Sequence, residues 1–343
     1  MRKELVDSGQ WVVDSDKPEL VVSGQWPVAS EKPEVICKSP ISNTKTRGSS
    51  HGASRTDHWP LATDHYSHGF TLVELLVVIT IIGILIAMLV PGVMAMRESS
   101  RRMTCLHNLH QIGAALNEYT AAYRVLPPGT IDRRGPIHNS PTGNHMGWMA
   151  RLLPYLDEKT VFDHVDFAAG AYAEKNASAR SIRIPIFACP SDPPVDSAPK
   201  IAVSNYAGCH NDVEKPIDAD NNGVLFLNSS ISPDDVTDGV SHTIFVGEKV
   251  VEPGDLGWMS GTRATLRNTG TPPLRPDDIA AQPAPKSDLY VGGFSSYHAG
   301  VCNFLFGDER TDSISTSIDM KILRQLGNRA DGELLKHGPT RDD

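Results

Sequence analysis

Gly69-Phe70-Thr71-Leu72-Val73-Glu74 opens an apolar run that continues to Val90-Pro91. From Leu72 to Val90 there are 19 residues and one charge, Glu74. As a helix rising about 1.5 Å per residue, such a run crosses a hydrocarbon core of about 30 Å. The spacing therefore predicts a membrane-spanning helix. A carboxylate two residues inside it costs about 2–3 kcal/mol in lipid without a partner, so Glu74 is expected to meet a positive group. A cleavable secretory signal fits poorly. Its apolar core would be about 7–15 residues, followed by small residues at a cut site, whereas this run leads into helix-compatible sequence.

Past Pro91 the helical pattern goes on. Met103, Leu106, Leu109, Ile112, Leu116, Tyr119 and Tyr123 recur every three or four residues and predict an amphipathic stripe. Pro127-Pro128-Gly129 should end it. One transmembrane and spine helix is expected over 70–125, kinked at Pro91. The segment 126–328 reads as a β-rich head. Ile182–Phe187, Asn222–Leu227, Thr243–Val246 and Val301–Phe306 are its β-like runs, with Pro272–Pro285 as an exposed loop. A charged tail over 329–343 closes the chain. The predicted class is α+β: a long N-terminal helix packed on an antiparallel head.

The segment 1–69 differs in kind. Ser8–Val22 and Ser23–Cys37 are identical at nine of fifteen aligned positions, and Lys38–His68 is rich in Ser, Thr, His and Arg. Two copies are too few for a solenoid. The segment reads as a disordered leader, either a genuinely long one or one extended by a start site placed too early. The net charge of −9 and the lack of basic blocks argue against a nucleic-acid surface. Four of the five cysteines, Cys105, Cys189, Cys209 and Cys302, follow the leader. Their pairing is not readable from spacing, and no CxxC or Cys/His metal spacing occurs.

The opening stretch resembles the N-terminus of type IV prepilins. The resemblance makes Gly69 the last leader residue, Phe70 the new N-terminus and Glu74 the fifth mature residue, with Pro91 at the position where pilins often kink. It implies a prepilin peptidase that cuts after Gly69 and methylates the new amine. It also implies other pilin-like subunits as partners, Glu74 pairing with a neighbour's N-terminal amine. Downstream, motifs recur in a fixed order: Cys105-Leu106-His107-Asn108-Leu109-His110-Gln111-Ile112-Gly113, Leu126-Pro127-Pro128-Gly129, Trp148 to Leu156, Phe187-Ala188-Cys189-Pro190-Ser191-Asp192, Ser204 to Gly208, Thr237 to Thr243, and His298 nine residues ahead of Asp308. This series resembles the pilin-like bacterial family known as domain of unknown function 1559, with its H-x9-DG element. Two positions depart from it. Glu309 replaces the closing glycine, so the turn between Phe306 and Ile314 is expected to differ. His242 stands where the family usually has Asn.

Other chemistry is thinly supported. Asp238, Ser241 and His242 are the residue types of a hydrolase triad, but there is no nucleophile elbow, and a turn is the expected role. Asp218, Asp220 and Asn222 begin like a calcium loop, yet position 12 is Ser229, not Glu. His107 and His110 share a helix face without a third ligand. Cys189 is expected to be buried or paired with Cys209. His298 and Asp308 are candidates for a binding role across neighbouring strands. The expectation is a non-enzymatic, cofactor-free, pilin-like subunit linked to a type II secretion or type IV pilus-like system, in the inner membrane with its head outside the cytoplasm. The alternative is an anchored solute- or glycan-binding protein. Charge alone points the other way on topology: Arg97, Arg101 and Arg102 follow the span, and the nearest earlier Lys or Arg is Arg55.

Overall fold

The computed structural model describes residues 70–193, 201–283 and 287–333. The leader with its internal repeat, Gly69, and the tail beyond Glu333 lie outside the described residues. Helix α1 spans Leu72–Tyr123, 52 residues. Thr71 caps it: its Oγ1 accepts the Glu74 N–H at 3.2 Å, and Glu74 Oε2 accepts the Thr71 N–H at 2.9 Å. The helix runs without a break through Pro91, whose missing N–H leaves the Ala87 carbonyl without its intrahelical donor. It ends at Arg124, which takes φ 66° and donates its N–H to the Thr120 carbonyl at 2.7 Å.

The two halves of α1 face different solvents. Large apolar side chains from Leu72 to Met96 are exposed, and the apolar window is 0% buried. From Cys105 onward the helix is in the core through Cys105, Leu109, Ile112, Leu116 and Tyr119. Met103 and Tyr123, placed on the stripe by spacing, are exposed. At 100° per residue Met103 sits on the face opposite Cys105, and Tyr123 lies one turn past the last core residue. Cys105, Asn108, Gly113 and Ala115 take buried places that a count of large apolar residues overlooks.

Among its described residues the head carries seven strands: β1 (Thr130–Ile131), β2 (Met146–Gly147), β3 (Tyr206–Asn211), β4 (Ile244–Glu248), β5 (Leu266–Asn268), β6 (Val301–Phe306) and β7 (Thr311–Ser315). β1 and β2 form a small antiparallel pair. The others form one sheet in the order β5-β3-β4-β6-β7, antiparallel except for the β3–β5 pair. Short helices connect them: α2 (Trp148–Leu152), α3 (Lys159–Phe162), α4 (Ala177–Arg180), α5 (Pro276–Ala281) and α6 (Met320–Gly327). Both faces of the sheet are covered. On β6, Leu305 joins the core beneath α1, while Cys302, Phe304 and Phe306 join a second core with Leu323 and Leu326 of α6. That is the period-two alternation of a strand buried on both sides.

Two expected strands are absent. Ile182–Phe187 contains Pro185, which starts a 3₁₀ turn over Pro185–Phe187. In Asn222–Leu227 the N–H groups of Val224 and Leu225 both reach the Cys209 carbonyl, so no ladder can form. The expected loop Pro272–Pro285 contains α5. The head also extends past 328, since Arg329 Nη1 donates to the Asn221 and Gly223 carbonyls.

The Pro-Pro-Gly stop after α1 has a packing reason as well as a helix-breaking one. An added Cβ at Gly129 would collide with the Leu225–Phe226 peptide, which is backbone and cannot step aside. Gly129→Ala should therefore destabilise the head by about 2–3 kcal/mol. Denaturant unfolding of the detergent-solubilised chain, followed by tryptophan fluorescence, checks this. A loss below about 0.5 kcal/mol, the scatter of ordinary surface changes, would contradict it.

Candidate functional site

At the membrane end of α1, Phe70 is exposed and Glu74 is held by its own helix. Its Oε2 accepts from both the backbone N–H and the hydroxyl of Thr71, each at 2.9 Å. Among the described residues no cation meets it. A carboxylate serving as a neutral-partner cap remains available to a stronger, charged one.

The second site lies where α1 enters the head. His298, 1% exposed, precedes β6 and is sandwiched between two carboxylates. Its Nδ1 is 2.7 Å from Glu98 Oε1 on α1, and its Nε2 is 3.4 Å from Glu248 Oε1 at the end of β4. Glu248 is 2% exposed and fully engaged. Ser296 Oγ donates to its Oε2 at 2.8 Å, the Asn303 N–H to Oε2 at 3.1 Å, and Asn303 Nδ2 to Oε1 at 2.8 Å. On the other side, Arg101 Nε and Nη2 both donate to Glu98 Oε2, at 2.9 and 2.7 Å, and Ser191 Oγ donates to Glu98 Oε1 at 3.2 Å.

Burial opposes the charge on His298, but hydrogen bonds and attraction from Glu248 and Glu98 outweigh it, so its pKa stands above the ordinary 6.5. Burial likewise pushes Glu98 upward, and its bonds from His298 and Arg101 more than offset this, leaving it below the usual carboxylate value. Both shifts favour the charged forms of the pair.

A disulfide joins Cys105 of α1 to Cys189 beside this pair, not Cys189 to Cys209. Cys209 and Cys302 are buried free thiols whose pKa values burial drives upward. The Cys105–Cys189 link closes 84 residues of sequence and is worth about 4–5 kcal/mol on a chain-entropy basis. Asn108 Nδ2 donates to the Ala188 carbonyl at 3.1 Å and to Tyr206 Oη at 3.3 Å. Arg102 Nε donates to Ser313 Oγ on β7 at 3.2 Å. Of the arginines that follow the span, Arg102 thus ties the helix to the head, while Arg101 holds Glu98 from within the helix.

His298 and Asp308 are not brought together. They sit at opposite ends of β6, and Asp308 is an exposed turn residue whose carboxylate accepts the Arg310 N–H at 3.2 Å. Glu309, at the position of the family's glycine, has a left-handed backbone at φ 67°, and its side chain accepts from Asn117 of α1. The turn thus holds a residue with a side chain in the left-handed region and is tied by that side chain to the helix. The oxygens of Asp218, Asp220 and Asn222 go to separate partners: the Ala219 N–H, Lys215 Nζ and the Asp212 N–H. Asp238 accepts the N–H groups of Asp331 and Gly332, and Ser241 Oγ lies 3.3 Å from Nδ1 of the exposed His242. His107 and His110 are both exposed.

The model of the family described as "Protein of unknown function (DUF1559)" matches residues 94–321, well over half of the chain. The chain belongs to this family. The Prokaryotic N-terminal methylation motif matches residues 64–90 of the same DUF1559 protein, which makes it pilin-like, with one helix long and apolar enough to anchor it in a membrane. It is similar to Type II secretion system core protein G of Pseudomonas aeruginosa, with 37% identity over 79 residues, 22% of this chain and 53% of that protein. The chain thus spans about half the length of that curated relative. No solved structure matches it.

Glu98 and Glu248 were not visible as site residues in the sequence. One signal was present for the first: Glu98 is the only acid between Glu74 and Glu118, set among three arginines. Glu98→Ala should cost about 1–2 kcal/mol. That is the lower part of the range for a charged hydrogen bond, because the Glu98 side chain is 36% exposed. A second expectation concerns pH. A histidine whose folded pKa is raised contributes stability that is complete below about 6.5 and is lost as pH rises through the folded value. Thermal unfolding of the oxidised chain should fall progressively above that pH, and His298→Gln should flatten that part of the profile. An unchanged slope in the variant would remove His298 as its source.

Proposed function

We propose that the chain is a structural, non-enzymatic subunit of pilin type, cut between Gly69 and Phe70 by a prepilin peptidase and methylated on the new amine. It sits in the inner membrane with the head outside the cytoplasm and packs with other pilin-like subunits of a type II secretion or type IV pilus-like system. One observation carries the reading: among the described residues nothing covers the apolar half of α1, and Glu74 is parked on Thr71 at its tip. In an assembly, a neighbour's N-terminal ammonium offers Glu74 a charged partner that the hydroxyl and amide of Thr71 cannot match. The head is fastened to the other half of the same rigid helix, so subunits that pack through α1 would array their heads at a fixed spacing.

A second reading has one observation in its favour. A cleft of about 1100 Å³ lies beside β5, with Arg263, Arg267, Tyr290 and Tyr297 among its walls. Aromatic faces beside charged groups suit a solute or glycan. Thermal shift of the solubilised chain against a panel of oligosaccharides tests that reading separately.

Mass spectrometry of protein extracted from native membranes should find methylated Phe70 first; a chain that still begins upstream of residue 60 would sink the proposal. Glu74→Ala should leave head unfolding unchanged, because that residue lies in the membrane half of α1, and should lower subunit–subunit crosslinking in the membrane. Equal crosslinking in the two proteins would mean that the acid has no assembly role.

A further inference from the structure

We propose that Cys105, Cys189, Glu248 and His298 form a redox-gated zinc site, closed by the disulfide and opened by its reduction. One donor atom from each of these four buried residues lies within 4.8 Å of the other three. A tetrahedral zinc with bonds of about 2.0–2.3 Å spaces its ligands about 3.3–3.8 Å apart. His298 Nε2 is 3.4 Å from Glu248 Oε1 and 3.7 Å from Cys189 Sγ. Two thiolates, an imidazole and a carboxylate form a donor set that favours zinc over the oxygen-seeking cations.

The surroundings have the form of a metal site's outer shell. His298 directs Nδ1 to the Glu98 carboxylate, leaving Nε2 facing the other donors. Glu248 is oriented by Ser296 and Asn303. The four ligands come from four distant segments, so no spacing rule could expose them.

The exchange balances. A dithiol reductant supplies two electrons and two protons, breaking the Cys105–Cys189 bond to give two thiols while the reductant becomes a disulfide. Zinc then binds as both thiols release their protons to solvent, with any proton on His298 Nε2. In either state α1 stays fastened to the head, by sulfur–sulfur bond or by metal. This goes beyond the assembly reading and does not depend on it.

The test uses the full chain in detergent with Cys37, Cys209 and Cys302 replaced by Ala, so that only the two site cysteines remain. After treatment with a phosphine reductant and incubation with zinc, about one equivalent should survive gel filtration, and the oxidised chain should retain less than a tenth of that. Cobalt in place of zinc should give the intense visible bands of a tetrahedral thiolate site. Glu248→Gln and His298→Gln should each weaken zinc binding at least tenfold, in the range seen for loss of a metal-site residue. Equal zinc in both redox states, or full binding by the two variants, would overturn the proposal. Reduction that unfolds the chain overturns it if zinc does not restore the near-ultraviolet circular dichroism, and supports it if zinc does.

Discussion

Glu98 and His298 stand 200 residues apart in sequence and meet at 2.7 Å, at the level where α1 leaves the head. The rest of the architecture depends on that junction. A helix of 52 residues has half its length outside any protein core, so whatever holds its other half must resist a long lever. Apolar packing alone is non-directional. The ion pair, the Cys105–Cys189 disulfide and the Asn108 bonds add direction. They fix the rotation and height of the helix relative to the sheet, and so the direction in which the apolar half leaves the head.

The family's scattered motifs make sense as parts of this fastening. Cys105 and Asn108 come from the first motif, on the helix, Cys189 and Ser191 from the fourth, Tyr206 from the fifth, and His298 from the last. Tyr206 lies in β3, is 0% exposed, and places its hydroxyl against Asn108. Trp148 of α2 is equally buried and donates its indole N–H to the Thr265 carbonyl at 2.9 Å. At Asn108, Tyr206, Trp148 and His298 the motifs thus mark places where a polar group is buried with its partner supplied, the condition under which buried polarity is tolerated. Gly113 adds the complementary device, since an added Cβ there would lie 2.7 Å from Leu305 Cδ1, so its absence lets α1 approach β6 closely.

Glu309 illustrates how a local rule yields to a tertiary contact. A left-handed residue with a side chain costs about 1–2 kcal/mol relative to glycine. The bond from Asn117 returns part of that and ties the β6–β7 turn to the helix. The turn is left-handed at a residue that carries a side chain.

The sequence by itself determined the membrane helix, its start, its stop and its exposed apolar half. Those features rest on an apolar run, a periodicity and a proline pair, all local. It also determined β6, a short apolar run buried on both faces, and most of β4. It did not determine β3, written Tyr-Ala-Gly-Cys-His-Asn, whose small and polar residues are strand-like only because both faces are covered. Nor did it determine the site. Glu98, Glu248, His298 and the two paired cysteines lie on separate elements, and each alone has an unremarkable solvated or structural reading. Only the tertiary structure sets them side by side, because their contacts are long-range and their charges are affordable in the interior only as neighbours.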